Sequence, residues 1–545
     1  MARNIVILSP HFPPHYHRFW LHLKQAGAHA LGIGDEPYET LSDAVRAALT
    51  EYYCLADMHD YDGLVRACGY YTHRFGKIDR FDSLNEYWLA TEARIRDDFN
   101  IPGVRSGDVD AIRRKSHMKE RFRAAGVPVA RGQVVRTLEE ARTLVAATGY
   151  PVIAKPDVGV GALNTYRIDA EADLASFFRS KPPVDYLMEE FVAGTIHSFD
   201  GLAGGDGQPL FYTGHVFSQG IMETVNEARH IYYYSLREIP PALEEAGRRC
   251  LSAFGVRERF FHIEFFLTDA GDLVALEVNM RPPGGFTTDM FNYSADIDIY
   301  RTWAELMVHQ RGGLAYARKY HCCYASRKRS QFYAYSHNDI LSRYGHLILQ
   351  VESVPGVFNS ALGDVGYIFR SASLDQVMEV VRFIQRLMRM VSTPLGEGPG
   401  YAVDVRLRPT GNYGPLVVTQ GSWENYYSSQ ADLWEVQALL RARAIVGPPD
   451  LCRWLERGVR GLLLPDPVQH DRGLWDVGIG ERALRRRRGL CQRQRRAERG
   501  GGVKPHFTAV PGCLNAFQRG DHVRRPDAAA AVIAGVGGVS QRAQH

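Results

Sequence analysis

The sequence predicts a chain of α/β and α+β units, and three observations carry that prediction. A strand, a helix and a second strand follow one another within the first 34 residues. Strand and helix patterns then alternate between about 128 and 192. Finally, two apolar runs flank a polar break in FFHIEFFLTDAGDLVALEVNM (260–280), the pattern of a β-hairpin turning at TDAGD.

NIVILSP (4–10) is the kind of apolar run a buried parallel strand requires. The Pro/His loop HFPPHYH (11–17) ends it, a helix is expected from about 18 to 26, and ALGIG (30–34) reads as the second strand. Helical patterns follow over 41–53, 60–76 and 83–99, the last stopping before IPG. No GxGxxG follows the first strand, which argues against dinucleotide binding there. Residues 110–125 are expected to form one basic helix, followed by a strand in PVARGQVV (128–135), a helix over 138–149 and a strand in YPVIAKP (150–156). After a glycine loop come NTYRI (164–168), a helix over 171–180 and the strand YLMEEFV (186–192). A helix over 241–255 leads into the hairpin, and a mixed region from 303 to 445 holds a helix at 374–391 and strand-like YAVDVRLRP (401–409).

At 545 residues, 45% hydrophobic and 23% charged, the chain is long enough for several globular cores. Its first apolar run is too short for a signal peptide, and no stretch approaches the ~20 apolar residues of a membrane span. The eight cysteines include the adjacent Cys322 and Cys323 but no CxxC pair, a pattern expected of reduced thiols in a cytoplasmic protein. The net charge of +4 hides an asymmetry. From Asp450 onward there are 17 Arg and one Lys against six Asp and three Glu, so residues 1–449 carry about −5. General basicity therefore argues for no nucleic-acid partner.

The texture changes near 450. The final stretch is rich in Arg, Gly, Ala and Pro, has a single lysine (Lys504) and shows no apolar periodicity. These residue types are what GC-rich DNA encodes in almost any frame. The expectations are a reading-frame change within 440–460, a native disordered extension or a small folded domain. On the first two, residues 1–445 should fold unaided.

The chemistry is concentrated in the hairpin. Side chains alternate across a strand, so Glu277, Asn279 and Arg281 share one face while Val274, Leu276, Val278 and Met280 share the other. With Glu264 on the partner strand, these are oxygen ligands suited to Mg²⁺, an ion commonly shared with substrate phosphates. A phosphate grip lies upstream in YPVIAKPDVGVGALNTYRI (150–168), where Lys155 ends a strand and Gly159 and Gly161 follow in a loop able to approach phosphate oxygens closely. The alternatives are a solvated strand end for Lys155 and paired surface residues for the hairpin quartet. His11, His15 and His17 read as the lining of a surface or cleft in preference to a metal cluster.

In these motifs the chain resembles the ATP-grasp superfamily, which includes biotin carboxylase, D-alanine–D-alanine ligase and other carboxylate–amine ligases. The resemblance is most specific in RKSHMKERFRAAGVPVARG (114–132), YPVIAKPDVGVGA (150–162), YLMEEFVAGTIHSFDG (186–201) and the hairpin through GGFTTDM (284–290), and extends over roughly 1–445. It implies a Rossmann-like pre-ATP-grasp domain over 1–108, a two-subdomain ATP-grasp domain over 109–305 hinged near 186–194, a mixed region completing the fold over 306–445, and the tail over 446–545. It also implies that Lys115 and Lys155 contact phosphate under a lid at 157–162. Glu189, Glu190, Phe191 and Val192 would form the adenine-binding hinge, with His197 near the ribose. Glu264, Glu277 and Asn279 would hold Mg²⁺, as two ions, and Arg281 would stabilise the transferring phosphoryl group. Lys119, one helical turn beyond Lys115, is expected to matter little. The histidine loop falls where such enzymes admit their non-nucleotide substrate, in a pocket expected from loops in 1–110 and 285–345.

The implied activity is ATP-dependent ligation of a small carboxylate to an amine, in the cytoplasm, with small-molecule partners and no membrane. PPGGFTTDM after the Glu-x-Asn-x-Arg run departs from the Gln–Val–Glu–His run expected of biotin carboxylases, which lowers that alternative. A non-catalytic nucleotide-binding protein with a basic nucleic-acid arm is the alternative from another class. No motif fixes an oligomeric state.

Overall fold

In a computed structural model of the chain, the described residues are 2–159, 164–220, 224, 229–354 and 356–388, together with the short strands Asp404–Val405 and Leu416–Val417. The Arg-rich tail and the expected strand at 401–409, beyond Asp404–Val405, lie outside them.

Four parallel strands open the chain: β1 (Asn4–Leu8), β2 (His29–Gly34), β3 (Glu51–Cys54) and β4 (Arg80–Asp82), in the order β3-β2-β1-β4. β1 is buried along its whole length, as its unbroken apolar run requires. Two expected helices are shorter than their sequence patterns. The helix over 41–53 stops at Ala48, and the aromatic EYYC forms β3. The helix over 83–99 starts at Leu89. Ahead of it the chain turns, with Ser83 donating its backbone N–H to the Glu92 carboxylate at 2.7 Å.

The basic segment 110–125 is two helices, Ser106–Arg113 and Lys115–Ala124, separated by extended Arg114. Asp157 causes the break. Its carbonyl accepts the Lys115 N–H at 2.8 Å and its carboxylate accepts the Ser116 N–H at 2.7 Å. Lys115 thereby begins the second helix rather than lying within a longer one.

A small antiparallel sheet follows, of β5 (Gly132–Val135), β6 (Val152–Pro156), β7 (Tyr166–Ile168) and β8 (Tyr186–Glu190), in the order β5-β8-β6-β7. Helices Leu138–Thr148 and Glu171–Ser180 contribute Leu144, Leu174 and Phe177 to its core. The opposite face carries Ile153, Lys155 and Glu189, with Ile153 directly opposite Glu189.

The largest sheet has eight strands: β9 (Thr195–Ala203), β10 (Pro209–Phe217), β11 (Tyr232–Ser235), β12 (Phe260–Leu267), β13 (Leu273–Asn279), β14 (His321–Arg327), β15 (Ile348–Ser353) and β16 (Val365–Ser371). Their order is β13-β12-β9-β10-β11-β14-β16-β15. Strands from 321–371 thus continue the same sheet as the hairpin. The helix at 374–391 is observed as Leu374–Ile384, burying Val377, Val380, Val381 and Ile384; residues beyond 388 lie outside the described residues.

The expected hairpin is β12–β13, with one correction. A bulge interrupts the register, since Glu264 faces Glu277 but Phe265 faces Ala275. Ala275 therefore enters the core while Leu276 lines the cleft, reversing the face expected for Leu276. The bulge coincides with a competing partner, as Ala275 donates its N–H to the Pro128 carbonyl at 2.7 Å.

Candidate active site

A cavity of about 350 Å³ lies between the small sheet and the polar end of the large one. One wall is cationic. Lys115 and Lys119 stand one helical turn apart, so both face the cavity. Lys155 reaches the same space from β6. Buried Glu189 holds this wall together, with its carboxylate 2.7 Å from Lys119 Nζ and 2.5 Å from Lys155 Nζ. Burial alone would raise the Glu189 pKa, but the two ammonium groups pull it down to about 2. Burial lowers the pKa of Lys115 and of Lys119, with nearby carboxylates opposing the shift. Lys119 is thus placed inside the cleft, and the expectation that it matters little loses its geometric basis.

Lys115 Nζ donates to the Gly159 carbonyl at 2.6 Å, linking the helix to the start of the glycine loop. Gly161 lies outside the described residues. Glu190 and Glu189 point to opposite sides of β8. The Glu190 carboxylate accepts from Arg131 Nε at 2.6 Å, away from the lysines, although Glu190 still contributes to the cavity wall. Phe191 and Val192 also line the cavity, in the short link between β8 and β9. The Arg167 guanidinium stacks 4.4 Å from the Phe191 ring centroid. His197 is not brought in. It pairs with Phe265 and Val216 across the sheet, on the face opposite Ser198 and Asp200, and its Nδ1 lies 3.2 Å from the Thr195 carbonyl.

The other wall is anionic and sits on the paired strands β12 and β13. Glu264 faces Glu277, and His262 faces Asn279. Asn279 Nδ2 donates to Glu277 Oε1 at 3.0 Å. Burial opposes the charge on Glu277, but Lys115, the Asn279 hydrogen bond and Lys155 more than compensate and hold its pKa below the usual carboxylate range. Arg281 lines the same cavity and donates from Nη1 to the Pro282 carbonyl at 2.8 Å.

Behind this wall lies a polar row that local sequence reading misses. Asp200 is fully buried and accepts from Ser198 Oγ at 2.5 Å, while His215 Nδ1 lies at 2.6 Å and His262 Nδ1 at 2.5 Å. His262 Nε2 then reaches Glu264 Oε1 at 3.3 Å. Burial disfavours the imidazolium, yet Asp200 and Glu264 raise the His262 pKa to about 10. Burial of Asp200 is likewise outweighed, chiefly by His262, so its pKa falls to about 2. One signal was available: His262 precedes Glu264 by two residues and shares its strand face.

The donor set fits a hard cation that keeps positions open for phosphate oxygens. It has two carboxylates and one amide oxygen, all on one face. Among the described residues no group of three or more His, Cys, Asp or Glu side chains forms a metal cage, and the His11/His15/His17 loop is no exception. His15 is instead kept neutral, its pKa lowered to about 3 chiefly by burial.

Residues 148–289, which hold Lys155, Glu189 and the whole carboxylate wall, match the family model for the ATP-grasp domain. The chain carries an ATP-grasp domain. It is 23% identical over 252 residues to the L-arginine-specific L-amino acid ligase of Bacillus subtilis, covering 44% of this chain and 59% of that protein. Its fold is similar to that of the L-amino acid ligase from Bacillus licheniformis, with a TM-score of 0.54 and 14% identity, over 70% of this chain and 96% of that one.

The comparisons also change the reading of the C-terminal part. Residues 370–457 match a second family, glutamate-ammonia ligase adenylyltransferase. The corresponding enzyme of Bartonella quintana, named a bifunctional glutamine synthetase adenylyltransferase/adenylyl-removing enzyme, is 38% identical over 117 residues. That is 22% of this chain and 11% of that protein. The ATP-grasp resemblance expected to reach about 445 therefore meets a different family from 370 onward. Among the described residues, no helix is long and apolar enough to cross a membrane.

Proposed function

We propose that this protein is an ATP-dependent ligase that activates a small carboxylate for attack by an amine. The observation that carries the proposal is the opposition of three lysines to Glu264, Glu277 and Asn279 across one cavity. Lys115 and Lys155 neutralise the phosphates, and Lys119 shares Glu189 with Lys155. The Phe191–Val192 link offers an apolar surface to adenine. Glu264, Glu277 and Asn279 hold Mg²⁺, which when bound neutralises phosphate charge.

A carboxylate oxygen of the substrate attacks the γ-phosphorus, and the bond to the ADP oxygen breaks. Arg281 stands where charge develops on the transferred group. The amine nitrogen then attacks the acyl carbon, phosphate leaves and the amine proton passes to solvent. The residues contribute position and charge rather than a covalent nucleophile.

Support comes from the ATP-grasp match and from the likeness to amino acid ligases. The chain spans about a tenth of the curated adenylyltransferase it matches, and the stretch 370–457 is assigned no activity of its own. The test is release of ADP and phosphate with Mg²⁺-ATP across a panel of amino acids and small acids, with and without bicarbonate and biotin. Amine-dependent ADP release supports ligation. Release that requires bicarbonate would replace it with carboxylation.

A further inference from the structure

A second cavity, of about 210 Å³, adjoins the first. Arg281, Gly284 and Leu362 line both, so Arg281 stands where the two meet. The second cavity is built from the 13–18 loop, the 281–286 turn, β15 and the segment after it. Its walls thus extend to 350–362, beyond the 285–345 range expected from sequence.

Its charges are separated. Arg18 also lines the space, but its guanidinium pairs with Asp289, which in turn accepts from Tyr300 Oη at 2.7 Å. Arg281 stands at the end next to the nucleotide cavity, where Nη1 donates to the Pro282 carbonyl at 2.8 Å and buried Glu86 feels its charge. Glu352 lines the second cavity and not the first. Gln350 Nε2 donates to its carboxylate at 2.8 Å, and Gln350 Oε1 accepts from Tyr293 Oη at 2.9 Å, which fixes the orientation of Glu352. Among the described residues, no Lys or Arg side chain is in ion-pair range of Glu352. The remaining wall is apolar, from Phe286, Val354, Phe358 and Leu362. Neutral His15 adds no charge of its own.

We propose that this cavity binds a free amino acid with an apolar side chain, its carboxylate toward Arg281 and its ammonium group on Glu352. The assignment rests on the ligase reading and specifies its carboxylate substrate. A carboxylate at Arg281 lies at the nucleotide cavity, where phosphoryl transfer requires it. Glu352 then has a partner for its charge, and the side chain covers the aromatic wall. Bicarbonate would leave Glu352 and the apolar wall unused. An acidic or phosphorylated substrate would place a second negative charge in a cavity already containing that carboxylate.

Calorimetric titration of the full chain, loaded with Mg²⁺ and a non-hydrolysable ATP analogue, tests this directly. L-Leucine and L-phenylalanine should bind. 4-Methylpentanoate, which is leucine without its amino group, should bind at least about tenfold more weakly. Glu352→Gln should weaken L-leucine about 10- to 100-fold, the scale of losing a charged hydrogen bond. The same variant should remove the preference for L-leucine over 4-methylpentanoate while leaving the affinity for the ATP analogue unchanged. Binding of the analogue without binding of either amino acid overturns this inference and leaves the ligase reading standing. So does a Glu352→Gln protein that still prefers L-leucine. Failure to bind the analogue at all overturns both.

Discussion

The two walls of the cleft solve the same problem with opposite charges. Each gathers like charges that must wait for a ligand, and each includes one buried group of the other sign. Among the lysines that group is Glu189, in direct contact with Lys119 and Lys155. Among the carboxylates it is His262, between Asp200 and Glu264. Both groups line the cavity, and the difference lies in what stands behind them. Glu189 sits on a four-stranded sheet beside the link between β8 and β9, and its partners Lys119 and Lys155 line the cavity with it. His262 is anchored from behind by Asp200, which His215 holds in turn, and both are fully buried in an eight-stranded sheet. The lysine wall should therefore adjust to its ligand, whereas the carboxylate wall is set before a ligand arrives.

The largest effect should come from breaking the deeper anchor. Asp200→Asn removes the charge that pairs with buried His262, and loss of one partner from a buried ion pair costs about 3–5 kcal/mol. The amide keeps one acceptor oxygen, so the lower end of that range is expected in chemical denaturation. An unchanged midpoint would show that the row contributes no stability. Next comes the metal face. Glu277→Gln should reduce ATP turnover by about two orders of magnitude while leaving the melting temperature near that of the wild type. Near-normal turnover would remove Glu277 from the site.

Smaller effects are expected on the lysine wall, and they separate its members. Lys115→Ala and Lys155→Ala should each weaken nucleotide binding strongly. Lys119→Ala should weaken it about tenfold, because Glu189 would then lean wholly on Lys155, and a charged contact is worth roughly 1.5–3 kcal/mol. Titration with an ATP analogue measures all three. A Lys119→Ala protein with wild-type affinity would restore the expectation drawn from sequence alone.

Much of this site is legible locally. The hairpin is marked by its polar turn and strand alternation, and Lys155 and Gly159 lie within one short segment. What sequence reading misses depends on distant partners. Asp157 breaks the helix at Arg114 from 43 residues away. Leu276 changes faces because Ala275 pairs with a segment near residue 128. The row of Asp200, His215 and His262 exists only once β9, β10 and β12 are aligned. Glu352 reaches the second cavity from a strand more than seventy residues beyond the hairpin. Lys119 is different, since its spacing from Lys115 already placed both on one helix face.

The gentlest test of the contrast is pH. Glu189 has a folded pKa of about 2 against an ordinary value of 4.5. A depressed carboxylate pKa contributes stability that is fully present above the unfolded value and lost as pH falls toward the folded one. Its contribution should therefore be intact at pH 6 and should fade between about 4.5 and 2. His262 follows the opposite sense, because its raised pKa of about 10 keeps its contribution present below 6.5 and removes it as pH rises toward 10. Melting temperatures of the ligand-free protein should accordingly fall on the acid side partly through Glu189. Glu189→Gln should lower the melting temperature at pH 6, since it leaves Lys119 and Lys155 without their shared counter-charge. The same variant should show a shallower decline between pH 4.5 and 3, because the group responsible for that part of the slope is gone. Parallel acid-side curves for the variant and the wild type would show that the lysine wall does not depend on the Glu189 charge.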